Sequence, residues 1–239
     1  QIWEDRQGNR TKISSMLSRS SVKTDLLVFP EMTLSGFSLN PEISTIDDED
    51  CVVFQDISKV KDCTVIFGGV EDFQNRLIVC EDGQRTAFYA KNHLFGYGGE
   101  VKSGYKSGLQ CEIISAAATK ITPAVCYDLR FAYQFWRLAP LGYLIVVIAN
   151  WPSSRRLQWR SLCVARAIEN QSFLIAVNRI GSGGGLEYSG DSMIIDPLGN
   201  ILLDAGDQEG VFSCEIDLQL VNDTRSRFPF MNDRKDLWK

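Results

Sequence analysis

Short runs of β-branched and large apolar residues recur along the chain, at residues 25–29, 64–70, 76–80, 86–90, 121–126, 143–149, 172–178, 192–195, 201–203 and 211–216. Most are apolar throughout instead of alternating, the pattern of strands covered on both faces. Turn signals separate several of them: Glu81-Asp82-Gly83, the glycine-rich residues 181–185, and Leu198-Gly199-Asn200. Other intervals read as helices. Residues 9–20 set Ile13, Met16 and Leu17 at helical spacing, and residues 130–139 form a second helix. Residues 154–170 carry Leu157, Leu162, Ala165, Ile168 and Glu169 behind Ser153 or Ser154 as N-cap. Strands and helices in this order predict a layered α/β sandwich, stacked sheets with helices outside. Residues 1–8 are polar and lead straight into a helix, whereas alternating α/β folds usually open on a strand. Either that strand is missing or the fold begins on a helix.

Bulk properties narrow the class. A chain of 239 residues suits one large domain, and residues 1–239 show no linker, repeat or low-complexity tract. Apolar residues make up 44% and charged residues 23%, the balance of a soluble globular protein. The net charge of −5 comes from interspersed acids and bases. No basic stripe points to nucleic acid and no polybasic cluster to a membrane surface. The longest apolar run, residues 143–149, is too short to span a bilayer. No signal peptide is expected, since no cationic start precedes an apolar stretch. Seven scattered cysteines with no C-x-x-C pair argue against a disulfide framework or a metal site, and for a reducing cytoplasm.

Three of the predicted strands run into a reactive side chain. Leu26-Leu27-Val28-Phe29 leads to Pro30-Glu31, Phe88-Tyr89-Ala90 to Lys91, and Ala124-Val125 to Cys126. A side chain at a strand end is rigidly held yet faces a cleft. A free thiol titrates near ~8.5, so Cys126 needs help to act as a nucleophile. A lysine ~4 Å away attracts a thiolate by ~4 kcal/mol at an effective dielectric of ~20, and Lys91 is the candidate. A thiol hydrolase also needs a proton carrier. Two candidates stand: His93, the only histidine, and Glu31, which a preceding proline holds stiffly. Glu100 follows Gly98-Gly99, glycines that let the backbone approach a ligand or another segment. The plain alternatives are a surface lysine, a solvated strand-end acid, a loop acid and cysteines that pack as small hydrophobes.

Together these segments resemble the nitrilase superfamily of carbon–nitrogen hydrolases, marked by a Glu-Lys-Cys triad in this order. The matching stretches are Phe29-Pro30-Glu31-Met32, Tyr89-Ala90-Lys91-Asn92-His93-Leu94-Phe95, and Val125-Cys126-Tyr127-Asp128-Leu129-Arg130-Phe131. Ala149-Asn150-Trp151-Pro152, the stretch Ala165-Arg166-Ala167-Ile168-Glu169-Asn170, and Gly190-Asp191-Ser192 add to the likeness. Cys-Tyr-Asp-Leu-Arg-Phe with Asn-Trp-Pro looks most like the omega-amidase branch, which hydrolyses the distal amide of 2-oxo dicarboxylate monoamides such as 2-oxoglutaramate and 2-oxosuccinamate.

The resemblance implies a four-layer α-β-β-α sandwich, a homodimer or larger homo-oligomer built through helices, a small amide and water as reactants, and no metal or organic cofactor. The family opens on a Val-Ala-Leu-Ile-Gln type of strand that this sequence lacks, which leaves one sheet edge in question. By the same likeness Cys126 is the nucleophile, Glu31 the acid and base, Lys91 and the Tyr127 backbone N–H the oxyanion donors, and Glu100 the accessory carboxylate. A 2-oxo acid substrate calls for an arginine fork. Arg130, Arg155 and Arg179 lie near the motifs, with Arg130 and Arg179 taken forward, and Asn150 and Trp151 as pocket walls. Relatives run nitrile hydrolysis, N-carbamoyl amide hydrolysis and amide transfer on the same triad, and an inactive binding module would share the fold.

Overall fold

The computed structural model describes residues 1–235. Helix α1 (Arg6–Arg19) precedes strand β1 (Leu26–Val28), short helix α2 (Pro41–Ser44) and helix α3 (Asp48–Lys61). Strands β2 (Thr64–Glu71), β3 (Gln74–Glu81), β4 (Gln84–Ala90), β5 (Ile114–Ala116) and β6 (Thr119–Val125) follow. Then come α4 (Ala132–Leu138), β7 (Leu144–Ala149), α5 (Arg156–Asn170) and β8 (Phe173–Asn178). The last elements are β9 (Ile180–Gly183), β10 (Leu186–Ser189), β11 (Met193–Ile195), β12 (Ile201–Asp204) and α6 (Gln219–Arg227).

Strands β1 to β4 form one sheet in sequence order, with β1 parallel to β2 and the rest antiparallel. The second sheet runs β12-β11-β8-β7-β6-β5. Its centre, β6, β7 and β8, is parallel, and its outer strands are antiparallel. Hairpin β9–β10 stands apart as a two-stranded ribbon.

Side chains alternate across a strand, which assigns each face its layer. On β2 and β3, Val65, Phe67, Ile78 and Cys80 pack with Ile13 and Leu17 of α1 and Phe54 of α3. Ile66, Leu77 and Val79 point the other way, into one cluster with Ile121, Val146 and Ile148 of the second sheet and Trp159, Cys163 and Ala167 of α5. The layers are therefore helix, sheet, sheet, helix, as expected. Both sheets are covered on both faces, which is why their strands read as unbroken apolar runs.

Several segments depart from the sequence reading. Helix α3 was not read from the sequence. Its start is nonetheless written in a capping box between Asp47 and Asp50. Residues 181–185, read as a turn, are the tip of hairpin β9–β10. Helix α6 was not read from the sequence at all. Residues 211–216, expected as a strand, form none. Their Val211, Phe212 and Ile216 line the same groove, of about 480 Å³, as Leu26 and Val28. Strand β1 pairs only with β2, and no described strand lies between it and residues 211–216. Apolar content there found a groove wall instead of a ladder. No described helix is long and apolar enough to cross a membrane.

Phe54 is fully buried and stacks on Phe67, ring centroids 3.8 Å apart. Phe54→Ala is expected to cost ~3–5 kcal/mol in urea unfolding. Val60→Ala, on the solvent face of the same helix at 80% exposure, should stay within ~0.5 kcal/mol.

Candidate active site

Strands β6 and β7 run parallel in register, so Cys126 and Asn150 emerge side by side just past their carboxyl ends. Ligand sites of α/β sheets collect at such ends. From the facing sheet, β1 runs into Glu31 and β4 into Lys91. The fold thus brings four strand ends to one point between the sheets.

Cys126 starts a 3-10 turn, residues 126–130, with φ +45°, in the left-handed region. A non-glycine residue there costs on the order of 1 kcal/mol and persists only when its surroundings fix it. Asp128 fixes it. The buried Asp128 carboxylate accepts from the Val125 N–H (3.0 Å), the Tyr89 hydroxyl (2.8 Å) and the His93 N–H (2.9 Å). The turn therefore presents the thiol outward from a strand whose own end is tied down.

Glu31, Lys91 and Glu100 are all fully buried. Lys91 Nζ donates to Glu31 Oε1 (3.2 Å) and to both Glu100 oxygens (3.0 and 2.9 Å). Asn75, at the start of β3, donates to Glu31 (2.7 Å) and Glu100 (3.1 Å) through one amide nitrogen. Glu31 Oε2 accepts from the Asn150 N–H (2.8 Å), and Asn150 Nδ2 donates to the Glu31 carbonyl oxygen (2.6 Å). Gly68 of β2 makes room for this loop. A Cβ there would sit 2.5 Å from the Met32 nitrogen and 2.7 Å from the Glu31 Cα.

Burial works against the Lys91 ammonium, but Glu100 and then Glu31 outweigh it and keep it protonated, above the ordinary lysine range. Burial, followed by the negative charge of Glu31, pushes the Cys126 thiol well above its usual value; Lys91 and the Asn150 N–H pull the other way without prevailing. Lys91, the cation expected to help the thiol ionise, lowers its proton affinity but does not prevail, because two carboxylates already claim its charge and burial holds the thiol protonated.

His93, the rival proton carrier, is occupied elsewhere. Its Nδ1 meets Asp128 Oδ1 at 2.7 Å, its Nε2 meets the Tyr133 hydroxyl, and its ring stacks on Phe131 at 3.7 Å. It lies outside the pocket that Cys126 lines.

That pocket holds about 320 Å³, at the low end for small-molecule sites. Lys91, Cys126, Tyr127, Arg130, Asn150 and Trp151 line it. Phe37, Phe95, Tyr188 and Arg155 complete its apolar and cationic walls.

The carbon-nitrogen hydrolase family profile matches residues 1–226. The chain belongs to the carbon-nitrogen hydrolase family. It is 34% identical to the omega-amidase YafV of Escherichia coli K12, over 99% of this chain and 95% of that one. It is 33% identical to a 2-oxoglutaramate amidase of Bacillus subtilis 168, over 96% and 93%. The crystal structure of XC1258, a CN-hydrolase superfamily protein of Xanthomonas campestris with an arsenic adduct in its active site, superposes with a TM-score of 0.90. That protein is 31% identical over 99% of this chain and 94% of its own. The protein is therefore a carbon–nitrogen hydrolase of the nitrilase type.

The structure places Lys91, Cys126, Tyr127, Arg130, Asn150 and Trp151 on this pocket, with Glu31 and Glu100 bonded to Lys91 behind its wall. Arg179 does not reach the pocket wall. It is buried behind Tyr188, stacked at 4.5 Å, and donates to the carbonyl oxygens of Ser182 (2.8 Å) and Gln1 (3.1 Å). Asn75 was missed, although an asparagine opening an apolar strand is unusual enough to mark a site. Tyr188 was missed because its hairpin read as a turn.

A neutral resting thiol sets the pH dependence of simple alkylation. The rate of iodoacetamide labelling at Cys126, followed by peptide mass spectrometry, should rise about tenfold per pH unit between pH 7 and 9. A plateau below pH 8 would mean a stored thiolate.

Proposed function

We propose that the protein is an omega-amidase: a thiol enzyme that hydrolyses the terminal amide of a small 2-oxo dicarboxylate monoamide, of the 2-oxoglutaramate or 2-oxosuccinamate type. The observation that carries this reading is the buried Lys91, held between Glu31 and Glu100 in the pocket that Cys126 lines. The similarity to an omega-amidase and a 2-oxoglutaramate amidase supports the choice of substrate class.

In this mechanism Glu31 takes the thiol proton as Cys126 Sγ attacks the amide carbonyl carbon. Lys91 and the Tyr127 backbone N–H hold the resulting oxyanion, a contribution of ~3–4 kcal/mol per donor. The intermediate collapses, the C–N bond breaks, and Glu31 returns its proton to the departing ammonia. A thioester remains on Cys126. Glu31 next draws a proton from water, whose oxygen attacks the thioester. The C–S bond breaks, Glu31 returns the proton to Cys126 Sγ, and the carboxylic acid leaves. Glu100 and Asn75 keep Lys91 and Glu31 oriented throughout. Arg130 at the pocket wall takes the substrate carboxylate.

Seven free cysteines fit a reducing compartment, the cytoplasm. Exposed Leu157 and Ile168 on α5 fit helix-mediated homodimers, which sedimentation measures directly.

The test is ammonia release from a panel: 2-oxoglutaramate, 2-oxosuccinamate, neutral aliphatic amides, N-carbamoyl amino acids and nitriles. The 2-oxo monoamides are expected to lead, and turnover only of nitriles or carbamoyl amino acids would overturn the reading. Cys126→Ala should abolish ammonia release with the fold intact by circular dichroism. Glu31→Gln should lower kcat by ~10²–10⁴-fold.

A further inference from the structure

Arg155 was weighed from the sequence and set aside, yet its position distinguishes it from every neighbour. The next arginines on α5 are spent on acids: Arg156 Nε and Arg160 Nη1 bind Asp191 at 2.7 and 2.8 Å, and Arg160 Nη2 binds Asp204 at 2.6 Å. Arg155, immediately before them, turns into the pocket instead and has no ion pair among the described residues. Arg130 on the same wall has none either. The one other acid at the pocket mouth, Glu4, accepts the Ser38 hydroxyl at 2.6 Å and has no cation within ion-pair distance among the described residues.

Both guanidiniums rest on aromatic faces. Arg130 lies 4.8 Å from the Trp151 ring and Arg155 5.4 Å from the Phe95 ring. Such stacking orients the planar group and leaves its N–H edge free for a fork of hydrogen bonds. The mounts are themselves fixed. Trp151 donates its indole N–H to the Arg155 carbonyl oxygen at 2.8 Å, which ties the ring under Arg130 to the backbone of Arg155. The Phe95 backbone N–H donates to Glu100, so the ring under Arg155 belongs to the loop that clamps Lys91. Gly98 lets that ring lie flat: a Cβ there would come within 2.1 Å of it. Two half-buried cations held on aromatic plates, with no internal anion to satisfy them, form a built receptor for an external carboxylate.

We infer that Arg155 is a specificity-determining residue, which with Arg130 grips the carboxylate of a dicarboxylic acid monoamide while the amide lies at Cys126. This rests on the amidase reading above and adds the residue that selects anionic over neutral amides. Arg179, whose guanidinium is committed to backbone carbonyls behind Tyr188, takes no part.

The experiment compares succinamate with 4-oxopentanamide, which replaces the carboxylate by a neutral methyl ketone of similar shape. Arg155→Met should lower the ratio of their kcat/KM values about 10- to 100-fold, through KM for succinamate, as expected for a lost charge-assisted hydrogen-bond pair. Arg155→Lys, which keeps charge without the fork, should fall between. A binding arm needs no turnover: succinate binding to Cys126→Ala protein, measured by calorimetry, should weaken at least about tenfold when Arg155→Met is added. An unchanged ratio together with unchanged succinate affinity overturns the inference and leaves the amidase reading standing. Succinate binding that depends on Arg155, in a protein that hydrolyses neither amide, upholds the anion site and overturns the amidase reading alone.

Discussion

A lysine ammonium with no solvent exposure governs this structure. Removing such a charge from water costs several kcal/mol, and opposing charges and hydrogen bonds must meet it in full. One carboxylate would neutralise it; two leave a net negative charge in the interior, which then needs donors of its own. Asn75, the Phe95 N–H and the Asn150 N–H supply them. These groups come from β3, the loop after β4 and the end of β7, and Asn150 lies 119 residues from the Glu31 it serves, so the demand for polar satisfaction at one point disciplines segments distant in the chain. Removing Lys91 alone would strand two buried acids, and removing either acid would strand part of the lysine's hydrogen-bonding capacity.

The same cluster decides how the thiol works. Since the lysine is committed, it cannot hold a permanent thiolate, and burial keeps Cys126 protonated. In the mechanism proposed above, Glu31 creates the nucleophile on demand. A neutral thiol at rest is less exposed to adventitious oxidation than a thiolate. The left-handed backbone at Cys126 fits this picture: Asp128 braces the turn on the strand side, so the sulfur is aimed while burial and Glu31 outweigh the Lys91 and Asn150 N–H contacts that would lower its proton affinity.

Much of this was legible from residues 25–31, 86–91 and 121–126, because strand ends with reactive side chains carry a local signature. A layered sandwich with helices outside stacked sheets was legible too, since doubly covered strands lose their polar face, and the family resemblance supplied the four-layer order. Partnerships were the part that sequence withheld. Asn75 matters through Glu31 and Glu100, 44 and 25 residues away, and nothing beside it announces that. Arg130, Arg155 and Arg179 look alike in sequence, and only packing separates two that face the pocket from one that braces the backbone. Residues 211–216 show the reverse error: apolar, β-prone side chains predict a strand, but a strand requires a neighbour's backbone as well.

Glu31 belongs to one sheet and Asn150 to the other, and two hydrogen bonds of 2.8 and 2.6 Å join them across the sandwich. That tether makes turnover a gauge of how the two halves are seated. A slip of one ångström between the layers would leave every ladder and every helix intact, yet it would pull the carboxylate that the proposed mechanism uses as proton acceptor off its mark. Mild heat or dilute denaturant should accordingly silence the enzyme well before spectroscopy registers any loss of secondary structure.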